Sequence, residues 1–183
     1  MIALIAALSL MVEPADRWST ASISPVITNG QLGACALNFK AVQSDTLYFS
    51  GRPVGIDGSF NVYHFGHARM GAMLKGTILD GQKLNRPDTL YLIDGYKTNI
   101  ADLIENNPNT DAGYMLSGFE LGLSTLETYL NSLERNQLIV GAQMQQGASA
   151  IPFQIDLTDD QVLEWLDCTT QLLNDAQAAI DNE

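Results

Sequence analysis

Residues 159–180 constrain the fold more than any other stretch of the chain. Val162, Trp165, Leu166, Cys168, Leu172, Leu173, Ala176 and Ile180 recur at the 3.6-residue period and form one apolar stripe. A long amphipathic helix packed along a sheet is the expectation. Thr158 with Gln161 supplies a capping box at its start. Asp159 and Asp160 fall in the first turn, where the helix dipole favours acids. Cys168 lies on the stripe beside Trp165, so its sulfur is expected to face the sheet.

The sequence holds one other cysteine, Cys35. It sits in the alternating run Ala34 to Val42 (ACALNFKAV), with Leu37 and Phe39 on the same face. The two thiols are too distant for a CxxC motif, and a pair alone does not make a zinc site. Both are placed inward, one on the first strand and one on the last helix, so a Cys35–Cys168 disulfide is expected. Closing so long a loop contributes about 4–5 kcal/mol in the chain-entropy model.

Such a bond persists only in an oxidising compartment. The apolar run Ile2 to Val12, followed by Glu13-Pro14-Ala15-Asp16, is shorter than the roughly 20 residues a bilayer crossing needs. It matches the apolar region of a secretory signal, although only the α-amine precedes it as a positive charge. Residues 1–15 therefore read as a secretion signal or apolar leader, with an N-terminal strand or helix in the core as the alternative. Residues 16–183 read as a single α+β domain, periplasmic or secreted.

Between leader and last helix, strand signals dominate the first half. Asp16 to Leu32 is polar and reads as an entry segment. Thr46 to Ser50 (TLYFS) reads as a strand after a turn at Gln43-Ser44-Asp45, and Phe60 to Phe65 as another after a turn at Asp57-Gly58. Met73 to Leu79 and Thr89 to Ile93 complete a meander. Thr46-Leu47-Tyr48-Phe49 echoes Thr89-Leu90-Tyr91-Leu92, too briefly to mark a duplication. Ile100 to Glu105 suggests a helical turn, and Asn106 to Asp111 a loop. Ser124 with Glu127 reads as a capping box opening a helix that carries Leu126, Tyr129, Leu130 and Leu133 at helical spacing and stops at Asn136. Leu138 to Gln143 and Ile151 to Leu157 are further strands. The fold class is α+β: an antiparallel sheet of six to eight strands with two helices on it, the longer one C-terminal.

Charge is uneven. Residues 1–100 carry seven acids and eight bases, whereas residues 101–183 carry fourteen acids and one base, Arg135. That acidic half repels phosphate backbones and anionic headgroups, so nucleic acid is not an expected partner; a basic protein partner is possible. No cofactor is expected.

Few residues suggest chemistry. His64 and His67 are the two histidines; on a regular strand they point to opposite faces, and no third metal ligand is specified. Ser50, His64 and Asp57 are near in sequence, yet no G-x-S-x-G elbow accompanies them. Asn107, Asn109 and Asp111 alternate like a calcium loop, but Ala112 and Gly118 stand where glycine and glutamate are needed. The strand aromatics Tyr48, Phe49, Phe60, Tyr63, Phe65, Tyr91 and Tyr96 are candidates to line a cleft or to fill the core. No catalytic or metal residue is assigned.

Gly33-Ala34-Cys35-Ala36-Leu37 opens the strands, and Phe153-x-Ile155-Asp156-Leu157 precedes a helix bearing Trp165-Leu166-x-Cys168. This layout resembles small secreted α-proteobacterial proteins akin to the invasion-associated locus B family. The resemblance implies an exported, β-rich protein without a catalytic role. The expected function is thus a non-enzymatic binding or scaffolding module; the alternative is a small hydrolase using His64 and nearby carboxylates.

Overall fold

A computed structural model describes residues 17–46, 48–64, 70–95, 97–108, 113–145 and 148–181, with side chains through residue 178. The apolar leader, His67, Phe65 and Tyr96 lie outside the described residues.

The longest hairpin pairs come first. Strands β1 (Trp18–Thr28), β2 (Gln31–Asp45), β3 (Arg52–His64) and β4 (Met70–Asp80) form an antiparallel run, and β5 (Lys83–Asn85) folds back on β4. Next come β6 (Thr89–Asp94), β7 (Lys97–Thr98), a 3-10 turn at Asn99–Asp102, β8 (Leu103–Pro108) and β9 (Met115–Glu120). Helix α1 (Leu123–Glu134), β10 (Gln137–Gln143), β11 (Ile151–Asp156) and helix α2 (Asp159–Asp181) complete the chain. The fold is α+β, with antiparallel pairing throughout. Strand order is β1-β2-β3-β4-β9-β8 in a seven-stranded sheet, and β11-β10-β6-β7 in a four-stranded one.

The expected β-rich sheet is therefore divided in two, and the sheets share one core. In β11, Ile151, Phe153 and Ile155 are buried while Pro152 and Asp156 are exposed, the period-two pattern of a strand with one dry face. They join Leu37, Ile56, Leu74 and Phe119 of the larger sheet. Polar bridges seal both margins. At one, the Leu90 N–H donates to Ser117 Oγ (3.0 Å) and Asn106 to Thr89 (2.8 Å). At the other, the Asp156 N–H donates to Ser19 Oγ (3.0 Å) and Gln43 to the Pro152 carbonyl (2.8 Å).

Several local expectations are corrected. Asp16 to Leu32 is not an entry segment: residues 18–28 form β1, joined to β2 through Asn29 and Gly30, both at positive φ. As an edge strand with most residues exposed or half-buried, β1 needs little apolar content and tolerates Pro25. Gln43-Ser44-Asp45 is the end of β2, and Thr46 and Tyr48–Ser50 turn the chain, the reverse of the expectation. Asp57-Gly58 lies inside β3: Asp57 faces Lys40 across the ladder (3.3 Å), and a Cβ at Gly58 would stand 2.3 Å from the Lys75 carbonyl. Glycine is there for close strand approach, not for turning. Residues 103–105 continue as strand after the 3-10 turn, and Asn106–Pro108 belong to β8 rather than to a loop. Strand β9 has no counterpart in the sequence reading.

Helix α2 starts as expected, with the Thr158 N–H donating to Gln161 Oε1 (2.9 Å) and the Gln161 N–H to Thr158 Oγ1 (3.2 Å). Helix α1 does not. Its N-cap is Gly122, which has no side chain to cap with. The Thr125 N–H instead donates to Asp102 Oδ2 at 2.6 Å. Ser124 donates to the Thr98 carbonyl (2.8 Å) and Glu127 pairs with Lys97, so neither residue closes a capping box.

Candidate binding groove

Helix α2 lies on β1, β2 and β3, and Cys168 meets Cys35 with bonded sulfurs 2.01 Å apart. Beside this bond Trp165 is fully buried, its ring 6.0 Å from Phe60 of β3 and 6.4 Å from Tyr129 of α1. The three aromatics lock both helices to the sheet. Burial pushes the Tyr129 phenol above its ordinary range, the Thr169 hydroxyl offsetting part of that.

The two apolar stripes are wider than the core they meet. On α2, Trp165, Leu172 and Ala176 are buried, but Leu166 is 36% and Leu173 50% exposed. On α1, Tyr129 and Leu133 are buried, but Leu126 is 39% and Leu130 46% exposed. These four leucines face one another across a groove of about 170 Å³ whose buried residues include Val62 and Tyr129. By sequence all four fall on the apolar stripes of the two helices. The signal was present as stripe width: Leu166 and Leu173 sit at the margin of the arc already filled by Trp165, Leu172 and Ala176.

Glu134 follows Leu130 by one turn on α1, and Asp160 and Asp167 flank the exposed Leu163 by one turn each on α2, but neither these acids nor Leu163 line the groove. Among the described residues these three carboxylates make no ion pair. Arg135, the one base of the second half, is committed to buried Asp94.

His64 borders a different cavity, a cleft of about 660 Å³ between the β1–β2 hairpin and the C-terminal half of α2. Its Nε2 is buried and has no hydrogen-bond partner among the described residues. Asp175 and Gln171 line the same cleft, and no hydroxyl is among its described walls. Ser50 and Asp57 are not brought to His64. Ser50 stands in the turn before β3 and His64 at the strand's far end, about 40 Å away at the usual strand rise. Asp57 points to the opposite face, seven positions back. Among the described residues no cluster of three or more His, Cys, Asp or Glu is placed to hold a metal ion.

Among the described residues, the strand aromatics line neither of these two cavities. Phe49 and Phe60 are core, and Tyr48, Tyr63 and Tyr91 are half-buried. No described helix is long and apolar enough to cross a membrane. No family model matches the chain, and no curated protein or solved structure is similar to it.

Proposed function

We propose that the protein is an exported, non-enzymatic binding or scaffolding module, and that the groove between α1 and α2 is its binding face. The observation that carries this reading is the exposure of four leucines, from two helices, on one groove. A contiguous apolar patch that the fold leaves uncovered marks an interaction site rather than a packing accident. The Cys35–Cys168 bond and the apolar run at residues 2–12 support export, as does the likeness in layout to the invasion-associated locus B family. The acidic second half argues against a nucleic-acid partner.

The chain produced in a Gram-negative host tests this. The expected product is periplasmic, shortened by the leader up to about residue 15, and lighter by two hydrogens on intact-mass measurement. A full-length product with free thiols, retained in the cytosol, sinks the export reading.

A small hydrolase working through His64 remains the second reading, because His64 and Asp175 share a cleft of about 660 Å³. It lacks a hydroxyl nucleophile on the described walls and an acid hydrogen-bonded to the histidine. Ester or phosphate turnover that vanishes in His64→Ala, with the Tm unchanged, would favour it over the binding module.

A further inference from the structure

The cleft beside His64 is walled by a residue whose polar atom the fold leaves unanswered. His64 ends β3, and its Nε2 is buried without a hydrogen-bond partner among the described residues. Such an atom is destabilising unless something satisfies it. None of the other residues carrying a buried, unpartnered side-chain atom lines this cleft or the α1–α2 groove. At about 660 Å³ the cleft has the size of a small-molecule site.

Its described walls specify the chemistry of an occupant. Asp175 is their one carboxylate, and it makes no ion pair among the described residues. The remaining polar side chains are His64, Gln31 and Gln171, while Pro25, Ile27, Leu32, Leu172 and Ala176 are apolar. A carboxylate only accepts hydrogen bonds, and a neutral imidazole accepts at the nitrogen that carries no proton. An N–H donor therefore suits both. Ala178 brings the cleft to the last turn of α2, where the helix dipole favours a cation. No Lys, Arg or aromatic ring lies on the described walls, so neither an anionic head nor a stacked ring finds a partner there.

We infer that this cleft binds a small aliphatic primary amine. Its ammonium group donates to Asp175 and to His64 Nε2, and its alkyl body lies on Ile27, Leu32 and Leu172. Asp175 is exposed, so its charge alone adds little; the imidazole and the apolar walls make the site selective. The site is separate from the α1–α2 groove and needs no hydrolytic step.

The test uses the full disulfide-bonded protein and four probes of one chain length: hexylamine, hexyltrimethylammonium, hexanol and hexanoate. Titration is followed by calorimetry and by the NMR signal of the His64 ring, assigned by its loss in His64→Phe. Hexylamine is expected to bind saturably and to shift that signal. Hexanol and hexyltrimethylammonium, which lack the charge or the N–H donors, should each bind about tenfold more weakly, and hexanoate more weakly still. Asp175→Asn and His64→Phe should each weaken hexylamine by about three- to tenfold. Asp167→Asn, an acid of α2 that does not line the cleft, and Leu130→Ser in the groove should leave it unchanged. Asp175 is exposed, so its variant should keep the Tm of the parent and exclude misfolding even if His64→Phe folds poorly.

Absence of saturable hexylamine binding overturns the inference, as does equal binding of hexanoate or hexanol. Equal binding of hexyltrimethylammonium removes the donor to His64 and overturns it too. An equal loss in Asp167→Asn reduces the effect to general attraction of cations by an acidic protein. A loss in Leu130→Ser with Asp175→Asn unchanged moves the amine to the groove; either result refutes the site. The α1–α2 groove stands or falls separately, since none of its leucines lines this cleft.

Discussion

The carboxylate of Asp45 accepts hydrogen bonds from the N–H groups of Tyr48 (2.7 Å) and Phe49 (3.0 Å) while being almost fully buried itself. Those two amides are thereby withdrawn from any strand ladder, and Ser50 and Gly51 at positive φ bring the chain back into β3. Thr46–Ser50 and Thr89–Ile93 both begin Thr-Leu-Tyr, yet Tyr48–Ser50 lie in a turn and Thr89–Ile93 in a strand. Propensity alone cannot separate them, and an aspartate, Asp45 or Asp88, precedes each; the Asp45 carboxylate turns back onto the amides that follow it, whereas Thr89–Leu92 pair with β10. Asp45→Ala is expected to cost about 1–3 kcal/mol, because it strands a buried amide. Asp45→Asn, which keeps an acceptor, should retain part of that. Urea midpoints measure both, and an unchanged midpoint for the alanine variant refutes the role. Gly58 makes the complementary point: Asp-Gly favours a turn in isolation, but two flanking strands that approach too closely for any Cβ keep it extended.

Among the elements, those whose signal is local were readable and those held by distant partners were not. The start of α2 was legible because Thr158 and Gln161 bond to each other within one turn. The start of α1 was not, because its cap comes from Asp102, outside the helix and 23 residues from Thr125. A Cβ at Gly122 would meet that carboxylate at 2.9 Å, so the glycine clears the approach. Asp102→Ala should therefore lower stability by about 1 kcal/mol, while Ser124→Ala and Glu127→Ala, the pair the local pattern favours, should each cost less. Thermal unfolding of the three variants ranks them, and an equal or reversed order refutes the external cap. The groove was illegible for a related reason. Periodicity says which side of a helix is apolar but not how much of that side the neighbouring sheet covers, so it does not tell Leu126, Leu130, Leu166 and Leu173 apart from core. Strand β1 is the opposite case, a polar stretch made into a strand by eleven residues of pairing with β2.

At the scale of the whole molecule, α+β character and the inward placement of two thiols were legible, because alternation and helical period each mark a face. The division into two sheets was not, since it depends on which strands pair across long stretches of sequence, as β6 does with β10. The bond joining Cys35 to Cys168 spans 133 residues. Its removal in Cys35→Ser/Cys168→Ser is expected to cost about 2–5 kcal/mol and to lower the Tm markedly, with the same shift on adding a reductant to the parent. A Tm insensitive to both treatments would show that the aromatic packing around Trp165 suffices without the bond.

The position of that bond also sets a timetable. Cys35 is made early, in the second strand, and its partner belongs to the last helix, so every strand is synthesised before the two sulfurs can meet. The neighbouring hairpins β1–β2, β2–β3 and β3–β4 form from nearby residues and need not wait. The bond between the two sulfurs therefore cannot form before the last helix is made, and it closes over strands that have all been synthesised already.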